Sequence, residues 1–173
     1  VLVLALGACS SDDADGPDEQ AGSTTTSTTA ATTTTSTTLL LDRLPADESL
    51  ETAAQVEAAY LHHWGVVLVA FDELDPDLLE LVLTGELLQV RRDQIAHLDA
   101  EGQRITGTLE HDVTVEVVSE TEAMVTDTQR SHLVTVDADG EAVSDDDGAT
   151  SINEYTLVRD GDAWLVASAV QKS

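Results

Sequence analysis

The chain has 173 residues, with 34 acidic side chains against seven basic ones and a formal net charge of −27. So negative a balance repels nucleic acids and anionic lipid, and the few cations are scattered rather than gathered into a basic stripe. Aromatic residues make up only 3%, so a core must be built mainly from Val, Leu, Ile and Ala, and a single cysteine excludes an internal disulfide.

Val1 to Leu6 form an apolar run, followed by the small residues Gly7 and Ala8 and then Cys9. An apolar run ending in small residues reads as the tail of a secretory signal peptide, residues 1–8. It is too short to span a bilayer, which needs ~20 residues. With no Met and no basic segment ahead of it, the sequence is read as starting inside that signal. Leu6-Gly7-Ala8-Cys9 resembles the lipobox of bacterial lipoproteins. The resemblance implies cleavage before Cys9, lipidation of its thiol, and attachment to the extracytoplasmic face of the cell membrane. The two chains of a diacylglycerol suffice for stable anchoring where one is marginal.

Residues 9–47 read as a stalk. Asp12, Asp13, Asp15, Asp18 and Glu19 lead into Ser23–Thr38, which is all Thr, Ser and Ala. Such a segment buries too little apolar surface to offset its ordering entropy, and is expected to be disordered. As a random coil it would reach roughly 35 Å. The threonines invite O-glycosylation, as in mucin-like stalks, and Leu39-Leu40-Leu41 closes the tract.

Residues 48–173 read as one folded domain. Ser49 or Asp47 is placed to cap a helix starting near Leu50, along which Val56, Tyr60, Trp64, Val67 and Phe71 recur on one face. Asp75-Pro76-Asp77 breaks that helix and caps a second helical region from Leu78 to about Leu98. Its inward positions are Leu81, Leu88, Ile95 and Leu98, with Gly85 a possible interruption and Gly102 the stop. The period then drops to two. Val113, Val115 and Val117 alternate with polar residues, a strand follows over Ala123–Val136, and two more run over Ser151–Arg159 and Ala163–Gln171. Asp160-Gly161 is expected to form the turn of the last hairpin, which would pair Leu157 with Trp164, Tyr155 with Val166 and Asn153 with Ser168. Both faces of this hairpin are partly apolar. One is expected on the first helix, and the other against a second subunit or the second helix.

Helices followed by an antiparallel meander give an α+β fold class, with the helices on one face of a curved sheet of about four strands. The long first helix, Leu83-Thr84-Gly85-Glu86-Leu87-Leu88, and the closing run from Glu154 to Val166 resemble the nuclear transport factor two-like superfamily. Similar domains follow lipoboxes and Thr-rich stalks in actinobacterial lipoproteins. The resemblance implies a cone with a pocket between sheet and helices, used by some members for proton transfer (ketosteroid isomerase and polyketide cyclase types) and by others only for binding.

The polar and aromatic groups expected at such a pocket are Tyr60, His63, Trp64, Asp127, His132, Asn153 and Ser168. An Asp–His pair would suit acid–base work, but Asp127 and His132 have opposite parity along a strand and so face opposite sides. His62-His63 lacks the i,i+4 spacing of a helical metal pair. The acidic run Asp137–Asp147 places Ala and Gly where a calcium loop needs Gly and Glu. No catalytic group, metal site or cofactor is therefore expected. The reading is a non-catalytic envelope module that binds a small hydrophobic ligand or a protein partner. The alternatives are a proton-transfer enzyme and an accessory subunit of an envelope complex, with a homodimer through the sheet face as a further expectation.

Overall fold

The computed structural model describes residues 41–146 and 148–172. The signal remnant, Cys9 and the acidic and Thr-rich tract as far as residue 40 lie outside the described residues. Helix α1 spans Thr52–Glu73, a short 3-10 helix Pro76–Leu81, and helix α2 Gly85–Glu101. Five strands follow: β1 Gln103–Val117, β2 Glu122–Asp137, β3 Ala142–Asp145, β4 Thr150–Asp160 and β5 Ala163–Lys172. They form one antiparallel sheet in the order β1-β2-β4-β5, with β3 pairing β2 beyond the end of β4. The expected fold class, helices packed on one face of a curved antiparallel sheet, is the one found.

The first helix buries its expected stripe: Val56, Tyr60, Trp64, Val67 and Phe71 are all in the core, joined by Ala59, His63, Val66 and Ala70. Its start differs from expectation. Glu51 precedes the first turn without a capping bond, while Asp47 accepts from the Ser49 N–H and hydroxyl and closes a separate turn upstream. The break is as read, with the Asp75 side chain accepting from the Asp77 N–H. Leu79, Val82 and Leu83 at this corner are buried more deeply than the leucines chosen from the helical period. Tertiary packing at a bend outranks periodicity there.

Residues 42–46, assigned above to the stalk, lie against the domain. The Ala46 N–H donates to the Asp162 carbonyl at 2.6 Å, Pro45 bridges to Ala163, and Arg43 meets Asp160 at 2.6 Å. Farther along the same free edge of β5, the Thr84 N–H donates to Val166 O and the Val166 N–H to Val82 O. An edge strand left bare is a template for aggregation. Here the first part of β5 is covered, and Ala163 to Val166 are all buried.

Register departs from expectation in the last hairpin. Asp160 pairs with Ala163, so the turn is Gly161-Asp162 rather than Asp160-Gly161. Gly161 has φ +64°, and Asp162 is not among the positive-φ residues. That is the form of tight turn in which Gly comes first, whereas the Asp-Gly form needs two positive φ angles. Farther along, Leu157 pairs with Val166 but Thr156 with Ser168, leaving Ala167 as an extra residue. This bulge flips the alternation of β5. The expected pairs therefore give way to Leu157–Val166, Tyr155–Ala169 and Asn153–Gln171.

β3 was not anticipated. It lies in the acidic stretch expected to be loop, and its four residues are all exposed. β1 and β2 pair without a break from Gln103–Asp137 to Val117–Ala123. Gly107 sits within this ladder at φ +121°, where a Cβ would lie 2.1 Å from the His132 carbonyl oxygen. Only glycine lets the two backbones approach so closely.

Candidate functional site

The inward faces of α1, β1, β2 and β4 converge on a buried polar cluster. Tyr60, His63 and Trp64 share the sheet-facing side of α1 because positions i, i+3 and i+4 stack on a helix. On β2 the odd positions point inward and bring Asp127 and Gln129, both nearly or wholly inaccessible. His111 comes from β1, and Asn153 and Tyr155 from β4.

The bonds form one chain. The Tyr60 hydroxyl donates to Asp127 Oδ2 at 2.7 Å. His111 Nδ1 stands 2.6 Å from the same oxygen, and the Asp112 N–H donates to Asp127 Oδ1 at 3.1 Å. Tyr60 Oη in turn accepts from Trp64 Nε1–H at 2.9 Å and from Gln129 Nε2–H at 3.3 Å. Gln129 Oε1 accepts from Asn153 Nδ2–H at 2.7 Å and from the Tyr155 hydroxyl at 3.2 Å. With the Tyr60 proton committed to Asp127, the amide of Gln129 has to present its N–H to Tyr60, as it does. Against a carboxylate oxygen His111 Nδ1 has to donate, and its Nε2 has no hydrogen-bond partner among the described residues.

Burial sets the electrostatics. The Tyr60 phenol is pushed far above its ordinary range by burial first, then by Tyr155 and by its bond to Asp127. Tyr155 is raised by burial as well. His63 is lowered to about 3, chiefly by burial and then by the positive charge of Arg91. At neutral pH the cluster therefore holds two phenols and an uncharged imidazole. His63 Nδ1 is buried without a hydrogen-bond partner, and its ring stacks on Tyr60 with centroids 5.9 Å apart.

Beside this cluster lies an apolar cavity of about 270 Å³, walled by Trp64, Val67, Phe71, Leu98, Ile105 and Leu133, with Arg91, Gln94 and His97 along one edge. A second, more polar recess of about 310 Å³ shares Trp64 and Leu133 with it and reaches Gln129, Ser131 and Ser151. The polar recess is at the low end of the ~300–1,000 Å³ typical of small-ligand pockets, and the apolar cavity lies just below it.

Five of the seven residues singled out from sequence come together: Tyr60, His63, Trp64, Asp127 and Asn153. His132 and Ser168 do not. His132 lies on the other face of β2, as its parity required, with Nε2 3.5 Å from Glu110. Ser168 is exposed and pairs with Thr156, because the bulge at Ala167 turned that end of β5 over. His111, Gln129, Tyr155 and Arg91 were missed. For His111 a signal existed, since it shares parity with Val113 and Val115 on the inward face of β1.

No protein-family model matches the chain, and no curated protein matches it either. Among solved structures, the intermembrane space region of the chloroplast protein ARC6 superposes with a TM-score of 0.59 at 19% identity, over 72% of this chain and 98% of that one. A ketosteroid isomerase-like protein from Erwinia carotovora atroseptica gives 0.45 at 15% identity, covering 71% and 98%. An NTF-2 like protein of unknown function from Shewanella oneidensis MR-1 gives 0.43 at 12%, covering 68% and 98%. The likeness to ARC6 is one of fold; the other two are distant and carry no functional weight.

Proposed function

We propose that the chain is a cell-envelope lipoprotein whose α+β domain holds a small hydrophobic ligand without transforming it. The observation that carries this reading is the apolar cavity beside Trp64. Binding sites for small molecules are concave, mostly apolar and edged by a few polar groups, which describes this one. The polar cluster behind it spends its donors and acceptors on itself: Asp127 takes three bonds, and Tyr60 Oη makes three. A group so satisfied fixes the wall of a site rather than attacking what enters it.

Calorimetric titration with 1-octanol tests the binding role. Saturable binding by the wild-type protein is expected, and Leu133→Trp, which fills the shared wall of both recesses, should weaken it at least about tenfold, ~1.4 kcal/mol. Non-saturable partitioning, or equal affinity in the two proteins, would refute it. The envelope reading rests on Leu6-Gly7-Ala8-Cys9 and on the Thr-rich tract beyond it. Intact mass of protein extracted from native membranes should show Cys9 as the first residue, carrying a diacylglycerol. A free thiol with the leader still attached sinks that part.

A second reading, proton transfer, is favoured by one contact: His111 Nδ1 on Asp127, which orients Nε2 as a base. It requires that the protein exchange deuterium into the carbon beside a bound ketone, and that His111→Gln abolish the exchange. Binding without exchange would leave the non-catalytic reading in place.

A further inference from the structure

The cations of the domain are not alike. Arg43 pairs with Asp160, Arg92 with Glu80, Arg104 with Asp72 and Lys172 with Glu154. Neither Arg91 nor Arg159 reaches a carboxylate among the described residues, but Arg159 donates to the exposed Gly161 carbonyl oxygen at the hairpin turn, whereas Arg91 stands on the wall of a cavity. The one hydrogen bond of Arg91 runs from Nη1–H to Gln94 Oε1 at 2.9 Å, and its Nε is buried with no acceptor. The guanidinium carbon lies 6.0 Å from the centroid of the Trp64 ring, on the wall of the apolar cavity. Burial draws the basicity of this group down, and only the Tyr155 phenol works against that.

A guanidinium offers five donors in a planar fork that matches the two oxygens of a carboxylate. Leaving such donors desolvated and unpaired is costly. Arg91, Gln94 and His97 lie along one side of α2 at the edge of the cavity, while Val67, Phe71, Leu98, Ile105 and Leu133 supply its apolar interior. One end of the site is thus greasy and the other cationic. The acids on these elements are engaged elsewhere: Asp93 accepts from Gln89, Asp72 faces Arg104 and Glu101 faces His97.

We propose that Arg91 is the head-group residue of this site, and that the ligand is a small amphiphile ending in a carboxylate. The inference rests on the binding reading above and adds the class of ligand to it. The net charge of −27 does not forbid such a ligand. Exposed charges beyond about 8 Å are largely screened at physiological salt, whereas a direct contact with a half-buried guanidinium is not.

The test is a titration series with octanoate, 1-octanol and octylamine, which share one tail and differ in head group. Octanoate should bind at least about tenfold more tightly than octanol, as a charge-assisted pair requires, and octylamine most weakly. In Arg91→Met, which keeps the apolar stem, the ratio of octanoate to octanol affinity should fall to about one. Wild-type protein that binds octanol and prefers octanoate no more than octanol overturns the head-group assignment while leaving the cavity reading standing. Failure of all three to bind overturns both. Should Arg91→Met not fold, the wild-type series decides alone.

Discussion

Replacing His63 with Leu should remove a large part of the domain's sensitivity to acid between about pH 6.5 and pH 3. The folded protein keeps this imidazole neutral down to about 3, against an ordinary value of 6.5. In that window the unfolded chain binds a proton that the folded one does not, so falling pH favours unfolding by ~1.4 kcal/mol per unit. The penalty begins near the unfolded value, reaches about 2.7 kcal/mol at about pH 4.5, and levels off near the folded value. Leucine has no proton to gain. It also removes a buried nitrogen without a partner, Nδ1, so the variant should stay within about 1 kcal/mol of wild type at pH 7. The measurement is urea unfolding of both proteins across this range. The difference between them must grow as pH falls, and parallel curves would mean that His63 is not held neutral.

Asp127→Ala should cost about 4 kcal/mol, a large share of the ~5–15 kcal/mol that holds a domain folded. The substitution orphans three donors at once: the Tyr60 hydroxyl, His111 Nδ1–H and the Asp112 N–H. Tyr60 has no easy alternative, because its oxygen already accepts from Trp64 and Gln129. Asp127→Asn should fall between, at about 2 kcal/mol. Whichever way its amide is turned, one side presents N–H to a group that also donates, and at Oδ2 the full lone pairs of Tyr60 prevent it from accepting instead. Denaturant midpoints for the two variants should therefore rank wild type, Asn, Ala. A neutral Asp127→Ala would show that the cluster contributes nothing to the fold.

Much of the architecture was legible because it depends on period. Val56, Tyr60, Trp64, Val67 and Phe71 announced a helix with one buried side, and Val113 and Val115 announced a half-buried strand. The last hairpin was legible as a hairpin but not in register. Asp160-Gly161-Asp162 allows two turns one residue apart, and the bulge at Ala167 carries no residue signature. That single extra residue removed Ser168 from the interior. The partner of Asp127 was not legible along its own strand, where the next histidine, His132, faces the other side. The cross-strand diagonal leads from Asp127 to His111 instead: Asp127 pairs with Val113, two residues from His111. Arg91 could not be distinguished beforehand from Arg92. Only three dimensions reveal that one finds Glu80 and the other finds no acid.

The clasp formed by Arg43, Pro45 and Ala46 also decides how the domain bears traction. A pull arriving from the upstream chain meets the Asp42–His62 contact on α1 first, and then the turn at Gly161 and the start of β5. His62 Nε2, 2.8 Å from the Asp42 carbonyl oxygen, shares the strain from the helix side. These few contacts must peel away first, paying out a short length of slack while Trp164 and the layers beneath it keep their places.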